Sequence, residues 1–203
     1  MDPGAWPSYP AAPGYSFSKG VRKNFSSYTA NPSYGFKLVG RKLITPGDNY
    51  VDKAMNNSNF GLSNDLIISD VSDIETKWTD MLFPWGGDPF SAATLYLYSR
   101  ESRGGYEMYI DYLNNTFVET TETWNNKPAS TQVLTVNLPS SPGWVSYNVL
   151  TLIQLAQGNA WNYGIRLRGK RPSFEPFVMN PWYFYSRHYS SGSYAPYLIL
   201  VWG

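Results

Sequence analysis

Carboxylates come first among the residues that can do chemistry in this chain. Glu119 and Glu122 flank a Thr-Trp-Asn-Asn run, and Glu101, Glu107 and Asp111 lie on a predicted neighbouring hairpin. A glycosidase needs two carboxyl groups facing one glycosidic bond. Nothing in the spacing brings such a pair together, and exposed strand carboxylates account for all five. His188 is the only histidine and there is no cysteine. The lack of cysteine excludes thiol nucleophiles, and one histidine is too few for a multi-histidine zinc site. His188, in a Tyr/Ser-rich loop, is expected to be a surface residue and not the base of a triad. Calcium asks only for oxygen ligands, and Asp48 and Asp52 are the candidates, although aspartate is also an ordinary turn former. The chain is thus expected to be non-catalytic, with no cofactor beyond a structural calcium ion.

Binding chemistry is better represented. Aromatic residues make up 17% of the chain, with 17 Tyr and 8 Trp, against 15% charged residues. Tyr and Trp offer large, stiff contact area with a polar handle, which suits sugar rings and protein partners alike. Trp85, Trp161 and Trp182 follow loop-like sequences and are expected to be exposed. Arg166 and Arg168 share one face of a predicted strand and would suit an anionic glycan. Trp124 and Trp144 are expected at the core or a sheet end. The same loop aromatics are equally able to anchor subunit contacts.

The composition narrows the partners. Lys+Arg 16 against Asp+Glu 15 leaves no basic stripe for nucleic acid. No apolar run reaches the roughly 20 residues of a membrane helix. The first residues, Met1-Asp2-Pro3-Gly4-Ala5-Trp6-Pro7, lack the basic and apolar regions of a signal peptide. Taken as a natural start, that beginning fits a protein assembled without export, such as a virion component, or one placed on an extracellular surface.

The elements that must carry these residues read as β-structure. Tyr163-Gly164-Ile165-Arg166-Leu167-Arg168 alternates with the two-residue period of a strand, as do Leu95-Tyr96-Leu97-Tyr98 and Met108-Tyr109-Ile110-Asp111. Leu66-Ile67-Ile68, Val133-Leu134-Thr135-Val136 and residues 197–202 add further strands. Turn residues recur between them: Pro46-Gly47-Asp48, Arg103-Gly104-Gly105, Pro142-Gly143 and Ser191-Gly192. Asn148 to Gly158 has helical spacing, a cap residue and a glycine stop. An Asn-aromatic-Gly pattern recurs at Asn31-Pro32-Ser33-Tyr34-Gly35, Asn59-Phe60-Gly61 and Asn162-Tyr163-Gly164, where the glycine is expected to allow positive φ or a bulge. The predicted fold is an all-β, jelly-roll-like antiparallel sandwich with one short helix. It forms a single domain over residues 15–203. Residues 1–14, with Pro3, Pro7, Pro10 and Pro13, precede it as an extended arm. Trp6, Tyr9 and the adjoining Tyr15 are its candidate contact residues, docking on a neighbouring subunit.

From about residue 43 to the end, the order of motifs resembles the DNRLRE-type domains, which are related to carbohydrate-binding modules. The matching stretches are Asp48-Asn49-Tyr50-Val51-Asp52, Asn59-Phe60-Gly61-Leu62-Ser63-Asn64, Ala92-Ala93-Thr94-Leu95-Tyr96-Leu97-Tyr98 and Thr121-Glu122-Thr123-Trp124-Asn125-Asn126-Lys127-Pro128. Then come Gly143-Trp144-Val145-Ser146-Tyr147, Asn162-Tyr163-Gly164-Ile165-Arg166-Leu167-Arg168-Gly169, Phe184-Tyr185-Ser186-Arg187 and Ala195-Pro196-Tyr197-Leu198. The resemblance implies a jelly roll and binding to a polysaccharide or cell-surface glycan. The arm and the departing Trp78–Trp85 segment instead favour a structural or decorating subunit of a virion or another extracellular assembly, self-associating or bound to capsid or tail proteins. Glycan binding is the alternative.

Overall fold

The computed structural model describes residues 40–72, 75–101, 105–160, 163–171 and 179–202. Gly35, Trp161 and the arm, with Trp6, Tyr9 and Tyr15, lie outside the described residues. The elements are β1 (Gly40–Ile44), β2 (Asp48–Asp52), β3 (Asp65–Asp70), β4 (Thr76–Leu82), β5 (Phe90–Ser99), β6 (Glu107–Leu113), β7 (Ser130–Asn137) and β8 (Gly143–Asn148). They continue with α1 (Leu150–Gly158), β9 (Gly164–Lys170), β10 (Met179–Tyr185) and β11 (Tyr197–Trp202). The expected all-β sandwich with one short helix is what forms. Among the described residues, no helix is long and apolar enough to cross a membrane.

Every strand pairing is antiparallel. One layer is built on β5, which gives one edge to β8 over Thr94–Ser99. Its other edge goes first to β11 over Phe90–Tyr96 and then to β10 at Ser99. β1 flanks β11, and β3 flanks β10. The other layer runs β2-β4-β9-β6-β7. β3 joins β4 by only two pairs, Ser69 with Lys77 and Asp70 with Thr76, so the ladder turns from one layer to the other there.

Alternation then decides what each layer buries. Leu95 and Leu97 of β5, Trp182 and Phe184 of β10, Met108 and Ile110 of β6, and Ile165 and Leu167 of β9 point into one core. α1 closes an end of it with Leu152, Ile153 and Ala156. The helix starts one residue later than the sequence suggests: Asn148 Oδ1 accepts the Leu150 N–H at 3.0 Å, while Val149 occupies the cap position. β10 carries Pro181, which has no N–H to give the ladder. The register shift between Met179 and Trp182 absorbs it.

Gly61 and Gly164 differ from expectation. Neither has a positive φ; a Cβ at either would lie 2.0 Å from a carbonyl oxygen, that of Glu119 or of Met81. The glycines allow two backbones to touch rather than a turn to form.

Candidate functional site

The outer face of the second layer carries the polar chemistry. Trp78 and Asp80 of β4, Arg166 and Arg168 of β9, and Asp111 of β6 stand side by side there, because β4 pairs with β9 and β9 with β6. The segment from Phe117 to Ala129 lies over one end of this face. Two asparagines hold it. Asn59 Nδ2 donates to the Glu119 and Glu122 carbonyls at 2.7 Å each, and Asn49 Nδ2 donates to Glu122 Oε2 at 2.9 Å. Asn126 shapes the segment from inside, accepting from the Thr123 N–H at 2.6 Å and donating to the Thr121 carbonyl at 2.9 Å.

That covering segment corrects the expected outward face of β9. Arg166 is only 1% exposed, and it makes a two-point ion pair with Asp80 at 2.6 and 2.5 Å. Arg168 is half-buried and pairs with Asp111 at 2.7 and 3.1 Å, with Gln132 Oε1 at 3.0 Å beside it. Under the cover, burial first and the Asp80 charge second push the Glu122 carboxyl up to about 10. This direction favours the protonated form of Glu122 beside the Asp80 carboxylate at neutral pH. Both carboxyl groups are buried, so no glycosidic bond can lie between them.

Outside the cover an open groove of about 530 Å³ remains, lined by Trp78, Lys127, Ser130, Gln132, Arg166 and Arg168 among others. A smaller hollow of about 290 Å³ adjoins it, sharing Trp78 and Arg168 and adding Trp124, Tyr109 and Lys53. Trp78 and Trp124 pack with ring centroids 4.6 Å apart, and Lys127 Nζ lies 4.0 Å from the Trp124 ring centroid. The charges do not balance. Arg166 is matched by Asp80, Arg168 by Asp111 and Arg171 by Asp70, while Glu122 is neutral. Among the described residues, Lys53 and Lys127 remain as surplus cations. Burial, and after it the Arg166 charge, hold Lys127 below the usual lysine range, a strain that an anion in the groove would relieve.

The opposite layer offers a different surface. Tyr96 and Tyr98 of β5, Trp144 of β8, Tyr185 of β10 and Tyr197 of β11 face outward, joined by Tyr194 and Tyr189 from the turn before β11. Tyr96 stacks on Tyr197 at 4.7 Å, and Trp144 meets Tyr197 edge-on at 5.2 Å. Tyr98 meets Tyr194 at 4.6 Å, and Tyr185 stacks on Tyr189 at 3.7 Å. Trp144, expected in the core or at a sheet end, is 44% exposed.

Trp85 and Trp182, expected to be exposed, are core residues at 0% and 1% exposure. Trp182 follows the inward phase of β10 and donates its Nε1–H to Ser99 Oγ at 3.1 Å. Trp85 is drawn in because its loop is tied at both sides. Arg41 Nη2 donates to the Trp85 carbonyl at 3.1 Å, and Gln157 Nε2 of α1 donates to the Gly86 and Asp88 carbonyls at 2.9 Å each. These long-range ties leave no trace in local sequence.

The two calcium candidates separate. Asp52 accepts from Lys77 Nζ and, at 2.9 Å, from the Ala54 N–H. Asp48 instead joins Glu119 and His188, whose ligand atoms and its own all lie within 4.8 Å of one another. Arg187 already brings a positive charge to this group, donating to both Glu119 oxygens, with Nε–Oε1 at 2.8 Å. Burial would raise Glu119, but Arg187 and the Asp48 N–H outweigh it and hold the carboxyl below its ordinary value. Asp48 goes the other way, pushed up to about 7 by burial, partly offset by the Arg187 N–H. The cluster is a neutralised structural knot with three potential metal ligands, and calcium on Asp48 with Asp52 does not fit it.

The antiparallel sandwich closed by one short helix is the fold of a carbohydrate-binding-module-like domain, a non-catalytic class. The family model for carbohydrate-binding module family 96 matches residues 41–200, from β1 to β11, and the chain belongs to that family. No curated protein matches the chain.

Proposed function

We propose that this protein is a carbohydrate-binding module of DNRLRE-type character that recognises an acidic polysaccharide through the groove around Trp78 and Arg168. The observation that carries this reading is the surplus of cations beside an aromatic ring in an open groove. Trp78 and Trp124 give the groove and its adjoining hollow an aromatic wall against which a pyranose ring can pack. Gln132 and Ser130 offer hydroxyl partners, and Lys127, Lys53 and Arg168 offer donors to carboxylate or sulfate groups. Affinity electrophoresis in a polyuronate, set against a neutral glucan, tests it. Retardation is expected in the polyuronate alone and should weaken with added salt. Lys127→Ala should weaken binding about tenfold, the size of one charge-assisted hydrogen bond. Equal retardation in both polymers, or no effect of Lys127→Ala, would count against it.

A second reading, a structural or decorating subunit of a virion or another extracellular assembly, is favoured by the exposed aromatic face of the other layer. Contiguous aromatic surface of this kind is typical of contact sites. Light scattering after size exclusion separates the two. A symmetric oligomer that Trp144→Ala dissolves supports assembly, whereas a monomer that binds polymer supports the module alone.

A further inference from the structure

The aromatic face around Trp144 has its own candidate occupant in the sequence. Residues 1–15 contain Pro3, Pro7, Pro10 and Pro13 interleaved with Trp6, Tyr9 and Tyr15, and no Lys or Arg. Proline-rich extended chain leaves its carbonyls unpaired and presents flat rings, the combination that aromatic surfaces with phenol and indole donors recognise. The face is bordered by cations. Lys42 Nζ sits 3.7 Å from the Tyr197 ring centroid and the Arg100 guanidinium 5.4 Å from that of Tyr185. Residues 3–15 carry no charged side chain, so nothing in the segment opposes these cations and its unpaired carbonyls can face them. Connectivity also fits. The described chain starts at Gly40, in β1, and β1 pairs with β11, which carries Tyr197. Residues 16–39, at about 3.3–3.6 Å each, span up to roughly 80 Å, more than enough to return a segment to the same face. A tether of that length keeps the segment at a local concentration of about millimolar, which favours its own domain over a neighbour's.

We infer that residues 3–15 dock on the Trp144–Tyr98–Tyr194–Tyr197 face of the same chain. The inference is independent of the glycan groove, which lies on the opposite layer. It is tested in the full chain by placing a photo-reactive benzoylphenylalanine at Trp6, irradiating, and mapping the cross-links by mass spectrometry. Links to residues 96–98, 144 or 185–197 within one chain are expected, falling at least fivefold in a Trp144→Ala background. Trp144 is exposed, so that variant should stay folded, and an unchanged melting temperature checks this. Lys127→Ala in the groove should leave the cross-links unchanged. Links elsewhere, no links, or links only between isotopically distinct copies would overturn the inference. So would protection of the face by a polysaccharide or by a second copy's face in a chain lacking residues 1–15.

Discussion

Replacing Gly164 by alanine is expected to lower stability by about 3 kcal/mol or more, with a fall in melting temperature of roughly 10 °C. The added Cβ would lie 2.0 Å from the Met81 carbonyl oxygen and 3.0 Å from its carbon. Neither atom can rotate away, because both belong to the backbone of β4. The strands must part, and β9 carries Arg166 two residues further on. Moving it pulls the guanidinium from Asp80 and uncovers a buried carboxylate, a loss that is costly when one partner leaves. Gly61→Ala should act similarly through the Glu119 carbonyl, lifting the segment that covers the same pair. Gly86→Ala is the control. Its φ is +80° with nothing within 4 Å of the added carbon, so about 1 kcal/mol of backbone strain is expected. Thermal or urea unfolding of the three variants checks the order. A Gly164→Ala protein as stable as Gly86→Ala would refute the contact.

The second large effect is on pH. Glu122 titrates near 4.5 in the unfolded chain and at about 10 when folded. The folded state therefore holds a proton that the unfolded chain releases throughout that window. Stability from this group is complete below about pH 4.5 and declines as pH rises toward 10. Asp48, raised from 3.8 to about 7, adds a decline of the same sign that ends near neutrality. At about 1.4 kcal/mol per pH unit for one proton, the loss between pH 5 and 9 is on the order of several kcal/mol. Glu122→Gln keeps a donor toward Asp80 and an acceptor for Asn49 but has no proton to lose. Its melting temperature should match the parent near pH 4 and exceed it at pH 9. Parallel melting curves for the two proteins across that range would show that Glu122 is not the titrating group.

Much of the fold was readable because a half-buried strand writes its period into the sequence. β3, β5, β6, β7, β9 and β11 all begin or end within a few residues of an apolar alternation. β2 was not readable that way: Asp48, Asn49, Tyr50, Val51 and Asp52 are all buried. Its polar members are tolerated only because Arg187, Glu122 and Lys77, far along the chain, meet them. The same distance in sequence hid the site. Periodicity put Arg166 and Arg168 together on one face, which is correct, but could not show the segment from Phe117 to Ala129 arriving to cover that face. Lys127, Trp78 and Trp124 were missed as groove-lining groups for the same reason. The excess of Tyr over what a core can hide was a sound signal of an aromatic surface. Its location went to the wrong tryptophans, since loop-like sequence around Trp85 and Trp182 says nothing of the hydrogen bonds that draw them inward.

The pairing of β1 with β11 also sets how the domain answers to mechanical load. Gly40 faces Val201 at the outer end of that ladder, and Ile44 faces Tyr197 at the inner end. A force drawn between the two ends of the sandwich would break these bonds one after another, like a zipper opened from its tab, instead of shearing them together. β1 would peel away first at low force, taking Lys42 off the Tyr197 ring before the layers part. Forced unfolding follows rates rather than equilibrium stability, so the sandwich should yield early at this edge however firmly its core is packed.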